Sequence, residues 1–243
     1  QLIGIPKSIG NLKKLEYLSL ARNQIDAIPM EIGGLSSVQE IYLSENKLSS
    51  LPFELSQLPK TVTLVLDHNY LEELTPGISL MKKLIFLDVA SNLLNKSLPP
   101  LSHINFYNLN LSNNYLSFED IAASGFLSFD PSSFLYYKQK NLRLTDTLLT
   151  FVKGDSLIVD IRKISEANHL KNSYKWIRNG SEISDRAVHK LLNPGTSDQG
   201  YYYCMIENEL WPGLTIKTDS LYVRMLNSDN LSNDTISSKR GTT

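Results

Sequence analysis

The sequence predicts an α/β solenoid of stacked repeats, followed by an all-β sandwich. Two observations predict this order. Asparagines in the first half recur at a nearly fixed step, and from about residue 142 apolar and polar residues alternate with a period of two. The asparagines stand at Asn23, Asn46, Asn69 and Asn92, each 23 residues after the last (46−23, 69−46, 92−69), with Asn114 after a step of 22 (114−92). A fixed period of this length is typical of repeat architectures, whose units bury their apolar faces by stacking.

The residues around each asparagine also repeat. The copies read LEYLSLARNQI (15–25), VQEIYLSENKL (38–48), TVTLVLDHNYL (61–71), LIFLDVASNLL (84–94) and YNLNLSNNYL (107–116). They share the pattern L-x-x-L-x-L-x-x-N-x-L and therefore resemble leucine-rich repeats, whose period is about 20–29 residues. The resemblance implies a parallel β arc with a mostly irregular convex side over residues 1–116, about five repeats of which the first is incomplete.

The L-x-L segment of each repeat predicts a short strand, because side chains alternate between the two faces of a strand. The asparagine after it is expected to hydrogen-bond backbone groups at the turn, which makes it framework rather than a site. Pro29 and Pro52 on the convex side predict turns or extended segments. The inward pairs are Leu18/Leu20, Ile41/Leu43, Leu64/Leu66, Leu87/Val89 and Leu109/Leu111.

The first repeat begins in mid-unit, because Leu2, Ile5 and Ile9 match Ile25, Ile28 and Ile32 one period later. We therefore expect more chain upstream in the parent protein, since a solenoid needs a specially built unit at its end. Residues 117–140 are predicted to be the C-terminal cap and linker, with a short helix beginning at Ser117. The apolar residues expected to cover the last repeat are Phe118, Ile121, Phe126, Phe129 and Phe134.

Residues 141–226 contain short apolar runs separated by Gly, Asn, Pro and Asp, which is typical of a β-sandwich. Trp176 lies 15 residues after Ile161 (176−161), and DQGYYYC (198–204) ends in the single cysteine, Cys204. These positions resemble an immunoglobulin-like domain. The resemblance implies that Trp176 is the core tryptophan, that Tyr202 forms the tyrosine corner, and that Ile161 replaces the first cysteine. Residues 227–243 are predicted to be a polar tail.

The order of parts resembles that of large secreted or surface proteins of Bacteroidetes-type bacteria. The matching segments are NNYLSFEDI (113–121), YYKQ (136–139) and GDSL (154–157). The resemblance implies an adhesive or recognition module that is secreted or held at the cell surface.

Composition excludes several classes of partner. The charge balance of 24 basic against 25 acidic residues gives no footprint for nucleic acid, and no apolar run reaches the length of a membrane-spanning helix. The four histidines, His68, His103, His169 and His189, show no metal-ligand spacing. No nucleophile or phosphate-loop motif occurs. We therefore expect no catalysis, no metal and no cofactor, and we read Cys204 as a buried apolar residue.

The outward strand positions remain as a candidate binding surface, which we call the concave face. Tyr17, Tyr42, Val65 and Phe86 are expected to form an aromatic and apolar patch there. Exposed aromatic residues with polar neighbours are typical of protein-binding surfaces, although they also support packing between strands. The polar residues expected to border the patch are Arg22, Glu40, Asp67 and Asp88.

A secondary binding loop is predicted at ELWPGL (209–214), where Trp211 is expected either to contact a partner or to fold back onto the sandwich or the cap. The sequence thus favours a non-catalytic recognition or adhesion module whose concave face binds a protein or, alternatively, a glycan. Two other functions fit the same pattern. One is an intracellular leucine-rich scaffold in the cytoplasm, and the other is a structural spacer within a larger surface protein. The pattern predicts no oligomeric state.

Overall fold

The computed structural model describes residues 1–125, 134–136, 139–141, 148–152, 155–160 and 171–226. The chain divides into two compact units. The first consists of Gln1–Leu142, Ser165–Asn172 and Ile206–Lys217, and the second of Arg143–Ile164, Ser173–Met205 and Thr218–Thr243. The predicted tail, 227–243, lies outside the described residues, as do Ile161, Phe126 and Phe129.

The first unit is built on a parallel sheet whose strands follow one another in chain order. In register, Leu18 pairs with Ile41, Ile41 with Leu64, and Leu64 with Leu87. These leucine-type side chains are buried while the residues on either side of them point outward, which confirms the predicted alternation. The strands are β1 (Tyr17–Ser19), β2 (Glu40–Tyr42), β3 (Thr63–Val65), β4 (Phe86–Asp88), β5 (Asn108–Asn110) and β6 (Phe134–Leu135).

Each ladder asparagine links two neighbouring repeats. The Nδ2 group of Asn69 donates to the carbonyl oxygens of Leu43 and Leu66, both at 3.0 Å, and its Oδ1 accepts from the backbone N–H of Leu48 at 3.0 Å. Asn46 and Asn92 repeat this arrangement one period earlier and later. The prediction that these asparagines are framework is confirmed, because their amides pair backbone groups inside the core.

The residue before each asparagine adopts a left-handed backbone conformation. The φ values are +59° at Arg22, +55° at Glu45, His68 and Ser91, and +57° at Asn113. Residues other than glycine adopt this region rarely, although asparagine, aspartate and histidine do so more often than the rest. The conformation turns the chain at the end of each strand, just before the asparagine side chain enters the core.

The convex side consists of short 3₁₀ helices, each packed against the next. Their bounds are Lys7–Asn11, Met30–Gly34, Phe53–Gln57 and Pro76–Leu80. Pro29 and Pro52 are extended, with φ near −70°, and each directly precedes a helix. This agrees with the turns or extended segments predicted at the prolines. Packing is close enough that a Cβ atom added to Gly77 would lie 2.6 Å from the carbonyl oxygen of Phe53.

The predicted cap begins with helix α1 (Phe118–Ala122), where the Ser117 hydroxyl and the Asp120 carboxylate form a capping box. Phe118 and Ile121 are buried, as expected for residues that cover the last repeat. The segment also holds a feature that the repeat pattern does not reveal. Strand β6 extends the parallel sheet beyond β5, and the Gln139 amide takes the place of a ladder asparagine, donating to the Leu111 carbonyl oxygen at 3.0 Å and accepting from the Leu116 N–H.

The strands after β6 form two further sheets. They are β7 (Leu148–Phe151), β8 (Ser156–Asp160), β9 (Asn172–Arg178), β10 (Ser181–Ser184), β11 (Val188–Leu192), β12 (Gly200–Asn208), β13 (Thr215–Lys217) and β14 (Leu221–Met225), and a 3₁₀ turn spans Thr196–Asp198. The larger sheet has the strand order β10–β9–β12–β14–β7, with β13 paired to β12, and β8 pairs with β11 in a separate two-stranded ladder. In the second unit, the side chains of Trp176, Tyr202, Cys204 and Val223 are buried.

Candidate functional site on the concave face

The sheet register aligns the outward residues of the first unit in columns across the strands. Because every neighbouring pair is parallel and in register, side chains from equivalent positions stand side by side, about 4.8 Å apart. The first column is Tyr17, Glu40, Thr63, Phe86 and Asn108, and the second is Ser19, Tyr42, Val65, Asp88 and Asn110. The structure therefore brings together the strand residues predicted to form the concave face.

An aromatic pair lies at the β1–β2 end of this face. The rings of Tyr17 and Tyr42 have centroids 5.3 Å apart and are tilted by 39°. The Tyr42 hydroxyl donates to Oε2 of Glu40 at 2.8 Å. This hydrogen bond to an acidic neighbour, followed by burial, raises the pKa of Tyr42. Tyr17 remains 56 % exposed, so the pair offers an open ring face beside a carboxylate.

The middle of the face is more apolar and less exposed. Val65 and Phe86 are both half-buried, and Thr63 stands beside Phe86 in the same column. They continue the patch from Tyr42 across β3 and β4, since Tyr42 pairs with Val65 in the register. Partial burial leaves one surface of each side chain available to a partner.

The acidic residues of the face, Asp67 and Asp88, differ in how many hydrogen bonds they accept from the protein itself. Oδ1 of Asp88 accepts from the Ala90 N–H at 2.9 Å, and Oδ2 accepts from the Asn110 side-chain amide at 3.0 Å. Burial raises the pKa of Asp88, and these two hydrogen bonds partly oppose the rise. Asp67 lies 2.8 Å from Nδ1 of the neighbouring His68. Asp88 therefore serves partly as framework.

Arg22 lies at the border of the face, in the left-handed turn after β1. Its Nε is 3.0 Å from Oε1 of Glu45, the equivalent residue of the next repeat. Both side chains are largely exposed, so this ion pair contributes little to stability. The ion pair with Glu45 nevertheless engages Arg22, the one arginine that was predicted to contact a partner.

Trp211, the predicted secondary contact, is only 3 % exposed. Its ring packs edge-on against Tyr136, with centroids 6.0 Å apart, and the Tyr136 hydroxyl donates to the Pro212 carbonyl oxygen at 3.0 Å. This burial goes against a partner contact at Trp211 and agrees with the alternative that the loop folds back onto the cap. Packing against a neighbouring aromatic residue removes the apolar surface of the tryptophan ring from water, which is favourable.

A further column was not predicted. The residues immediately before the strands are aligned by backbone hydrogen bonds, the Ile85 N–H donating to Val62 O and the Tyr107 N–H to Ile85 O. Ile85 is 42 % and Tyr107 77 % exposed. The signal was present in the sequence, because these positions are polar in the early repeats (Glu16, Gln39) and apolar in the later ones.

No group in the described part of the chain is arranged for metal binding, since no three His, Cys, Asp or Glu side chains there are close enough to share an ion. Burial raises the pKa of Cys204 to about 12, which keeps its thiol protonated near neutral pH. His189 lies between the rings of Trp176 and Tyr202.

Within the described residues, no helix has the length and apolar character needed to cross a membrane.

Comparison with known proteins supports the assignment of the repeats. The leucine-rich repeat family model matches residues 5–48. Similar solved structures include a leucine-rich repeat protein of Leptospira interrogans, with 27 % identity over 58 % of this chain and 48 % of that chain and a TM-score of 0.41. Another is the BIR3–SERK2 complex from Arabidopsis thaliana, with 28 % identity over 48 % of this chain and 64 % of that chain and a TM-score of 0.37.

The chain thus spans about half the length of the Leptospira protein and under two thirds of the Arabidopsis chain. No curated protein sequence matches it. Taken with the parallel sheet and the asparagine ladder, the match of the leucine-rich repeat family model to residues 5–48 shows that the repeat region has a leucine-rich-repeat-like fold.

Proposed function

We propose that this chain is a non-catalytic recognition module that binds a protein through its concave face. Leucine-rich repeats generally mediate protein–protein interaction, and the outward columns are where a parallel solenoid sheet exposes side chains. The observation that carries the proposal is the open Tyr17–Tyr42 pair, continuous with Val65 and bordered by the Glu40 carboxylate. Aromatic residues with a polar border are the composition expected at the centre of a binding surface.

We propose further that the chain acts in adhesion or recognition as part of a secreted or cell-surface bacterial protein, and that its second unit is an immunoglobulin-like domain. Support for the domain comes from the Tyr202 hydroxyl, which donates to the Asp198 carbonyl oxygen at 2.6 Å, as in a tyrosine corner. The burial of Trp176 and Cys204 adds to it. The bacterial surface location rests on the resemblance in the order of parts.

Site-specific photo-crosslinking tests the concave face. A photoreactive amino acid replaces Thr63, between Glu40 and Phe86 in the first column, and a matched control carries it at Phe53 on the convex side, whose side chain is 51 % exposed. Both proteins are exposed to the surface fraction of the source cells or of the cells they contact. We expect a discrete covalent partner at Thr63 that is absent at Phe53.

Binding of that purified partner is then measured for the parent protein and for a variant with Tyr42→Ala, Phe86→Ala and Asp88→Asn together. Central aromatic residues dominate binding energy at such surfaces, so affinity should fall by about tenfold or more. The same adducts at both positions, or unchanged affinity of the triple variant, would favour a structural spacer. A partner confined to the cytoplasm would favour an intracellular scaffold.

A further inference from the structure

Tyr17, Tyr42 and Glu40 form a compact triangle on β1 and β2. Tyr17 and Glu40 stand opposite each other in the register, and Tyr42 follows two positions later on the same face of β2. We propose that this triangle is a subsite for one cationic side chain, the guanidinium group of an arginine on the partner protein. The proposal rests on the proposed function and specifies the chemistry of the partner at that face.

The aromatic side of the triangle supplies an attractive surface for a cation. Tyrosine rings carry negative electrostatic potential on their faces and attract a guanidinium placed within about 6 Å of the centroid. The Tyr17 and Tyr42 rings are tilted by 39°, and their centroids lie 5.3 Å apart. A flat group stacked on the open face of Tyr17 therefore also lies near the second ring. Arginine suits this geometry better than lysine, since its guanidinium is planar and weakly hydrated.

The carboxylate of Glu40 supplies the charge that fixes the cation. Its Oε2 accepts a hydrogen bond from the Tyr42 hydroxyl at 2.8 Å, which restrains the carboxylate. Among the described residues, none of the salt bridges involves Glu40. A carboxylate has acceptor sites beyond the one used by Tyr42, and a guanidinium presents several N–H donors in a fixed fork that matches it.

Charge elsewhere on the face favours the same sign of partner. Asp88 ends strand β4 and Asp67 follows strand β3, and the Arg22 side chain is held by Glu45 at 3.0 Å. Both oxygens of Asp88 accept hydrogen bonds from within the chain. This residue therefore contributes to the negative electrostatic potential of the face rather than to direct contact with the partner. The face thus offers carboxylates that lack a lysine or arginine partner in the described part of the chain, and a basic segment complements them.

Nuclear magnetic resonance titration tests the subsite with a small probe, Nα-acetylarginine methylamide. The neutral isostere, Nα-acetylcitrulline methylamide, has nearly the same shape without the charge. We expect the arginine probe to shift the resonances of Tyr17, Glu40 and Tyr42 with millimolar affinity, and the citrulline probe to leave them in place.

Variants separate the two contributions. Tyr17→Ala should weaken binding of the arginine probe by about two- to fivefold, the loss of one exposed cation–π contact. Glu40→Gln should weaken it similarly, and raising the salt concentration should weaken binding to the parent protein but barely affect the Gln variant. Tyr70→Ala removes a ring that is 52 % exposed and lies outside the triangle, and it should leave the affinity unchanged.

Equal shifts with the citrulline probe, or full affinity in Glu40→Gln, would overturn the arginine subsite. So would a Tyr17→Ala variant that keeps its affinity for the probe but loses stability, because the ring pair would then serve only to pack the two strands. Failure of the subsite is distinguishable from failure of the proposed function. If the triple concave variant still loses the crosslinked partner, recognition through this face stands and only its arginine chemistry falls.

Discussion

Asn69 illustrates how one side chain joins two repeats. Its amide donates to the carbonyl oxygens of Leu43 and Leu66, and its oxygen accepts from the Leu48 N–H. Each carbonyl oxygen is shared with a second ladder asparagine, Asn46 or Asn92. Within the described residues, the Leu48 N–H has no such second partner, so it is the group that depends most on Asn69.

Changing Asn69 to Ala should therefore lower the free energy of unfolding by about 2–4 kcal/mol, because a buried N–H loses its acceptor and two carbonyl oxygens each lose a donor. Urea unfolding measures the change. Asn23→Ala is the matched control and should cost about 1 kcal/mol, since its oxygen accepts from the exposed Leu2 N–H, which water can replace. Equal losses in the two variants would contradict this account of the ladder.

Cys204 allows a second prediction at the residue scale. Its side chain is fully buried, and burial raises its pKa to about 12. Because the thiolate is the reactive form, native protein should react with a thiol reagent far more slowly than urea-unfolded protein. Mass spectrometry of the adduct over time measures both rates. Rapid labelling of the native protein would show that the core around β12 opens readily.

At the scale of elements, the convex helices depend on close backbone contacts. A Cβ atom at Gly77 would lie 2.6 Å from the Phe53 carbonyl oxygen of the preceding helix. Gly77→Ala should therefore destabilise the protein by about 1–3 kcal/mol, since the two helices must separate. Gly4→Ala is the control, because nothing lies within 4 Å of its added Cβ. Thermal unfolding compares the variants, and a neutral Gly77→Ala would mean that the convex side yields easily.

His189 on β11 ties the stability of the second unit to pH. Its ring is buried between Trp176 and Tyr202, and in the described part of the chain its Nε2 has no hydrogen-bond partner. Burial first, and then the Arg178 charge, lower its pKa from 6.5, while Asp198 opposes the shift. The unfolded chain therefore binds a proton before the folded one does, and stability falls as the pH drops below about 6.5.

The variant His189→Phe keeps an aromatic ring between its two neighbours and removes the titrating group. We expect urea unfolding of the parent protein to show a loss of stability between pH 8 and pH 5 that is smaller in the variant. Because carboxylates contribute to both proteins, the difference between the two profiles is the relevant measurement. Parallel profiles would show that His189 is not responsible.

At the scale of the whole molecule, the asparagine spacing predicts the strands because only one register places every inward leucine on the same side. The left-handed turns at Arg22 and Glu45 were not predictable, since these residue types rarely adopt that conformation. The ladder role of Gln139 was not predictable, because this residue follows Asn114 by 25 residues (139−114) and its side chain is one methylene longer than that of asparagine. Its hydrogen bonds to Leu111 and Leu116 become visible only in three dimensions.

The candidate site was predictable in position but not in chemistry. Column positions follow from strand alternation alone, whereas the hydrogen bond between Tyr42 and Glu40 depends on side-chain rotamers. The same applies to Trp211, whose packing partner, Tyr136, is 75 residues away in sequence (211−136). Alternation along a strand indicates which residues point outward, but it carries no information about contacts between distant segments.

A gradient of stability should run along the repeats, because each repeat contacts only its neighbours. Strand β3 pairs on both sides, with β2 and β4, whereas β1 pairs only with β2 in the described chain. Leu66 is fully buried and Leu20, its equivalent, is half-buried. Hydrogen exchange should therefore be faster at the Leu20 N–H, bonded to Tyr42 O, than at the Leu66 N–H, bonded to Asp88 O.

This gradient makes binding observable at a distance from the contact itself. Tyr17 lies on β1 and Glu40 on β2, so a guanidinium held between them links β1, which pairs on one side only among the described residues, to its neighbour. A ligand that binds only the folded form stabilises it. Saturation with Nα-acetylarginine methylamide should therefore slow exchange at Leu20 while leaving Leu66 nearly unchanged. Uniform slowing along all the repeats would instead indicate that the first unit unfolds as one cooperative whole.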